Sequence, residues 1–104
     1  MEIDNLDDLR VLLAIAETGT LTAAGKRCRL STAAVSAAIK RLEQALGARL
    51  FERTTRSVRP TAEGEVMIDY ARRALELVAE GQALVRAGSL GLAGTIRVTV
   101  AAAL

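Results

Sequence analysis

The run Leu21-Thr22-Ala23-Ala24-Gly25-Lys26-Arg27-Cys28-Arg29-Leu30-Ser31-Thr32-Ala33-Ala34-Val35-Ser36-Ala37-Ala38-Ile39-Lys40-Arg41-Leu42 decides the fold. Thr20, just ahead of it, can cap a short helix from Leu21 to about Arg27. Ser31 can cap a second helix after a turn over Cys28 to Leu30, because both side-chain types accept from the free backbone N–H groups of a first turn. Helices joined this tightly need a small residue on the first so that the second packs close. Gly25 supplies it, and Ala24, Cys28, Leu30, Val35 and Ala38 fall at the apolar positions of a helix-turn-helix template. On the second helix Val35, Ile39, Leu42 and Leu46 form the apolar stripe and Gly47 ends it. Thr32, Ala33, Ser36, Ala37 and Lys40 are left on the opposite face, the one such a motif presents to base edges.

Upstream, Asn5 or Asp4 can cap a helix whose first turn holds Asp7 and Asp8, where carboxylates suit the positive helix end. Leu6, Leu9, Leu13 and Ala16 make its stripe, and Gly19 stops it. Downstream, residues 48–60 lose the helical period. Leu50-Phe51-Glu52-Arg53 and Ser57-Val58-Arg59 read as two short strands around the polar turn Thr54-Thr55-Arg56. Pro60 then precedes Thr61, the cap of a fourth helix that runs without a strong breaker from Ala62 to about Ala87. Along it Met67, Ala71, Ala74, Val78, Gly81 and Val85 alternate in steps of four and three, the spacing of a seam between two helices. Leu75, Leu77 and Leu84 widen the stripe. Gly88, Gly91 and Gly94 mark a boundary, after which Thr95 to Val100 alternates polar and apolar like one β-strand.

The 104 residues suit one small domain with an appendage, and 20 Ala and 15 Leu against 1 Pro make helix dominant. With 1 Phe, 1 Tyr and no Trp, the core must be aliphatic. The absence of His removes the usual general base, and a lone Cys28 excludes an internal disulfide or a paired-cysteine metal clip. No phosphate-binding glycine pattern, secretion signal or membrane-length apolar run is present. The expectation is a cytoplasmic, non-enzymatic chain with neither metal nor cofactor. Packing between helices is the expected role of Cys28.

The net charge of +2 conceals an asymmetry: residues 1–25 carry −4, residues 26–60 carry +7 and residues 61–104 carry −1. A strongly basic block of this kind is the electrostatic footprint of a nucleic-acid surface. It coincides with the helix-turn-helix and the hairpin, which together read as a winged variant. Arg53, Arg56 and Arg59 then stand where a wing approaches phosphates or a narrow minor groove.

Taken in order, these segments resemble a known family. Asn5-Leu6-Asp7-Asp8-Leu9, Ala16 to Ala24, Ser31, Val35-Ser36, Ile39 to Glu43, Leu46-Gly47, Leu50 to Arg53, Arg56, Val58, Pro60-Thr61 and Glu63-Gly64-Glu65 resemble the N-terminal domain of LysR-type transcriptional regulators. The resemblance spans nearly all of residues 4–88. It implies a mainly α fold: a winged helix-turn-helix of three helices and a two-stranded wing over residues 1–60, then a linker and dimerisation helix over 61–88. Residues 89–104 would be a hinge and the first strand of an effector-binding domain that this chain lacks, and a small-molecule effector would bind there.

Carried over residue by residue, the family's DNA contacts fall on Ser31, Thr32, Ala33, Ser36, Ala37 and Lys40 of the recognition helix, on Arg53, Thr54 and Arg56 of the wing, and on Thr61. Many members have Gln at position 32, Pro at 33 and Arg at 37, where this chain has Thr32, Ala33 and Ala37. Direct readout is therefore expected to be weaker, with more weight on DNA shape and the wing. Arg41 is expected to pair with Glu43, Glu52 or an acidic residue of the first helix. The resemblance implies a homodimer on an inverted-repeat operator, joined through Met67, Ala71, Ala74, Val78, Gly81 and Val85, with tetramers of the full-length protein left open. The alternative is a helical protein–protein interaction module that never touches DNA.

Overall fold

In a computed structural model of the chain, residues 5–54 and 57–88 are described. They form helices α1 (Leu6–Thr18), α2 (Leu21–Cys28) and α3 (Thr32–Leu46), strands β1 (Phe51–Arg53) and β2 (Val58–Pro60), and a long helix α4 (Ala62–Gly88). Each of the first three helices starts where its sequence places a cap. The side chains of Asn5, Thr20 and Ser31 accept from the backbone N–H of Asp7, Ala23 and Ala34 at 2.9, 3.1 and 3.1 Å. α1 and α3 end on Gly19 and Gly47 with left-handed backbone, whereas α2 ends on Arg29, the one described non-glycine residue with positive φ. That Arg29 turn reverses the chain, and the Leu30 N–H returns to the Gly25 carbonyl at 2.8 Å.

Gly25 is small for a reason the structure makes explicit. A Cβ there would stand 2.6 Å from the Leu30 carbonyl oxygen and 3.5 Å from a Val35 methyl. The space a side chain would need is occupied by the turn and by α3. Val35, Ala38, Ile39 and Leu42 from α3 join Ala24 from α2, several α1 residues, Leu50 and Phe51 in a core that is aliphatic apart from that single ring. Leu30 and Leu46, expected inside, are exposed. Leu30 lies in the turn itself, and Leu46 lies in the last turn of α3, where Ala38 and Leu42 already complete the stripe. Cys28 is half-buried with a free thiol.

α1 is buried on a different line from the one its leucines suggest. The inward residues are Asp8, Leu9, Val11, Leu12, Ala14 and Ile15, while Leu6 is exposed and Leu13 and Ala16 are half-buried. α2, α3 and β2 all contact this helix, so it needs a wide apolar face, not a narrow stripe. Asp8, only 5% exposed, is tolerated there because the Arg41 guanidinium meets its two carboxylate oxygens at 3.0 and 2.9 Å. Of the partners the sequence offered for Arg41, the acidic residue of α1 is the one realised.

The two strands form an antiparallel hairpin with Phe51 opposite Pro60, Glu52 opposite Arg59 and Arg53 opposite Val58. β2 takes in Pro60 and starts at Val58, one residue later than the sequence reading. Pro60 is allowed because a two-stranded sheet has only edges, where a missing N–H costs nothing. The chain divides into two compact units at Arg73–Ala74, within α4. Within the first, Gly64, Ile68 and Ala71 of α4 are buried. The expected strand over residues 95–100 lies outside the described residues.

Candidate nucleic-acid interface

The hairpin is fixed by polar bonds at its base. The Glu43 carboxylate, one turn before the end of α3, accepts the Leu50 N–H at 2.8 Å and ties the entry of β1 to the helix. The Val58 N–H donates to the Gly19 carbonyl at 3.1 Å and ties β2 to the α1–α2 turn. At the tip, Thr54 closes the turn: its N–H donates to the Ser57 carbonyl at 2.9 Å, and its hydroxyl accepts the Ser57 N–H at 3.0 Å. A wing held at both strands keeps a defined position beside α3.

On α3, the residues expected at the interface are where the motif places them. Ser31, Thr32, Ala33, Ala37 and Lys40 are exposed and Ser36 is half-buried. Ser31 uses one oxygen lone pair for its cap, which leaves its O–H as a donor. Arg53 is exposed on the wing and reaches back to α3, its Nη2 lying 3.4 Å from Ser36 Oγ. Arg56 lies outside the described residues.

Thr61 is in a different situation from the others. Its N–H donates to the Leu50 carbonyl at 3.0 Å and its hydroxyl donates to the Arg49 carbonyl at 2.6 Å, while the oxygen accepts the Gly64 N–H at 3.0 Å. Both donors are engaged inside the chain, and a lone pair offers nothing to a phosphate. The structure therefore gives Thr61 the role of joining the wing to α4 instead of donating to DNA.

Cations divide into two sets that the sequence alone could not separate. Arg10, Arg27, Arg41 and Arg73 are paired with Asp7, Glu17, Asp8 and Asp69. The pairing with Asp8 raises the Arg41 pKa, chiefly through the hydrogen bond, so that guanidinium stays charged and occupied. Among the described residues, Lys26, Arg29, Lys40, Arg49, Arg53 and Arg59 make no ion pair and are exposed. The basic block thus keeps most of its charge available to an external anion. Arg49, Lys40 and the C-terminal end of α3 line a shallow surface depression with Glu43, Gln44, Gly47 and Ala48.

The sequence of residues 6–65 matches a family profile described as bacterial regulatory helix-turn-helix protein, lysR family. The chain belongs to the LysR family. The LysR-family relatives include ClcR of Pseudomonas putida, 41% identical over 90 residues that make up 86% of this chain and 31% of ClcR. PerR of Escherichia coli is 39% identical over 82 residues, 79% of this chain and 28% of PerR. The chain therefore spans about three-tenths of the length of these regulators. Among solved structures, the CbnR_DBD–DNA complex covers 83% of this chain and 99% of its own at 34% identity, with a TM-score of 0.78. The complex of BenM_DBD with catB site 1 DNA covers 84% and 97% at 29% identity, with a TM-score of 0.79. The winged helix-turn-helix is thus the LysR-family one, and this is a family of transcriptional regulators, not of enzymes.

On α4 the expected seam residues separate. Ala71 is 1% exposed in the single chain and Met67 half-buried, so the chain's own core already uses the Ala71 methyl. This corrects the expectation that Ala71 is offered to a second helix. Farther along, Ala74 is half-buried, and Val78, Gly81 and Val85 are exposed; Val85 is 62% exposed. With Leu77, Gln82 and Arg86, the last three line an open groove on the helix. Val66 and Tyr70 were not on the expected seam and Leu77 was expected only to widen it, yet each is more than half exposed. Their spacing of four and seven was available in the sequence, but the steps of four and three through the alanines matched a heptad more closely.

Proposed function

We propose that this chain is the DNA-binding portion of a transcriptional regulator and grips an inverted-repeat operator as a homodimer. The observation that carries the reading is the segregation of charge on the motif. Arg27 and Arg41 are neutralised within the fold, while among the described residues Lys26, Arg29, Lys40, Arg49, Arg53 and Arg59 are exposed and make no ion pair. α3 enters the major groove by its N-terminal half, with Ser31, Thr32, Ala33, Ser36 and Ala37 nearest the bases and Lys40 farther along, toward the phosphates. The wing follows the backbone toward the minor groove with Thr54 and Arg56, while Arg53 at the end of β1 leans toward α3.

α4, 27 residues and about 40 Å long, supplies the dimer contact through its exposed apolar residues. Two recognition helices then reach successive major grooves about one helical turn, or a multiple of it, apart. No cofactor is needed for this step. In the whole protein, an effector would act through a domain beyond this chain, and the regulator would work in the cytoplasm at the nucleoid.

Fluorescence anisotropy with a labelled duplex across a salt series tests the reading. Affinity should fall linearly on a log–log plot, each neutralised phosphate contributing about −0.9 to the slope. Absence of duplex binding at low salt would overturn it.

A further inference from the structure

The solvent side of the N-terminal half of α3 is chemically sparse. From Ser31 to Ile39 the chain contains no Arg, Lys, Asn, Gln, Asp or Glu, only hydroxyls and aliphatic groups. Bidentate recognition of a base needs two hydrogen-bonding groups in a fixed relation, which neither Ser, Thr nor Ala has. The first longer polar side chain on this helix is Lys40, about 12 Å along the axis from Thr32 and a single point charge. A planar fork is nevertheless present at this surface, and it comes from the wing.

Arg53 ends β1 and extends to α3, where its Nη2 lies 3.4 Å from Ser36 Oγ. The scaffold presets this approach. Leu50 is anchored to Glu43 of α3, and Val58, opposite Arg53, is anchored to Gly19. Among the described residues Arg53 has no carboxylate partner, and Ser36 occupies one donor of its guanidinium, leaving the others for a ligand.

We propose that Arg53, positioned by Ser36, is the base-discriminating residue of this interface and reads a guanine through N7 and O6 from the major-groove side. The proposal rests on the DNA-binding reading above and deepens it. Ser36 is the positioning residue: it touches the guanidinium and sets where the fork points. Arg is complementary to the two adjacent acceptors that guanine presents in the major groove. In this chain, discrimination thus moves from the recognition helix to a wing residue leaning on that helix.

The test uses this chain and the duplexes it enriches from a random pool. Each guanine in turn is replaced by 7-deazaguanine, which removes the N7 acceptor and little else. Wild type should lose affinity about 5-fold or more at one guanine of each half-site, the lower end of what a bidentate pair contributes. Arg53→Ala should show no penalty at that guanine. Arg53→Gln should shift preference there toward adenine, whose N6 and N7 suit an amide. Ser36→Ala should shrink the penalty without changing the salt slope, and Ser36→Thr should restore it. Circular dichroism of each variant establishes that it is folded.

A penalty that persists in Arg53→Ala, or enriched duplexes indifferent to every 7-deazaguanine, overturns the assignment of Arg53 while leaving DNA binding intact. No binding of any duplex at low salt overturns the DNA-binding reading, and this assignment with it.

Discussion

Two glycines in α4 look alike in the sequence and are opposites in the structure. A Cβ on Gly64 would drive into the Leu50 carbonyl oxygen and its carbon, both backbone atoms that cannot swing aside. The same atom on Gly81 would meet nothing within 4 Å. Gly64→Ala should therefore cost about 1–3 kcal/mol, as overpacking does, and separate the wing base from α4. Gly81→Ala should instead stabilise by up to about 1 kcal/mol, because the helix gains a better former in open space. Thermal unfolding of the pair checks both signs at once, at roughly 4–8 °C per kcal/mol for a domain of this size. Asp8→Asn should lower the melting temperature by removing the charge that holds Arg41. The sign of the Arg41 shift is that of a base gaining a partner: its contribution is present below the ordinary arginine range and is lost only above it.

The elements themselves were largely legible in the sequence, because their ends are encoded locally. Asn5, Thr20 and Ser31 cap by their own side chains, and Gly19 and Gly47 stop helices by their own backbone freedom. Which face each element buries was less legible, since that depends on partners distant in sequence. Asp8 is inside only because Arg41, 33 residues later, meets it. Leu6, Leu30 and Leu46 are only partly covered, at 46, 43 and 40% exposed, although hydropathy alone would place them in the core. The exposure of Ser31, Thr32, Ala33, Ala37 and Lys40 was legible because the buried stripe of α3 fixes the opposite face, and Thr61 was legible as a helix cap, whereas its hydrogen bond to the Arg49 carbonyl has no sequence signature. For α4, an acid at Leu77, 67% exposed, should leave the chain folded and yield monomers by light scattering. Ala71→Asp should instead unfold the first unit, by roughly 3–5 kcal/mol for an unpaired buried charge. If Leu77→Asp remains dimeric, the interface is not on that face of α4.

Over the whole molecule, electrostatic attraction to DNA comes before specificity. A chain of net charge +2 holds +7 within residues 26–60, and among the described residues six cations of that block are exposed and make no ion pair. Such a surface should hold any duplex weakly and slide along it, with sequence preference added by a few short side chains, by Arg53 and by the two-fold repetition of the proposed dimer. Lys40→Ala should flatten the salt slope by about one unit with base preferences unchanged, the signature of a phosphate contact. An unchanged slope would place Lys40 off the backbone. On the proposed reading, this chain binds specifically, as a dimer, to a two-fold DNA site. Selection of duplexes from a random-sequence pool, repeated at low and high salt, tests it most directly. An enriched inverted repeat is expected, with half-sites about one helical turn or a multiple of it apart, held more weakly as salt rises. Binding that enriches no repeat at either salt, or no binding at all, would contradict it.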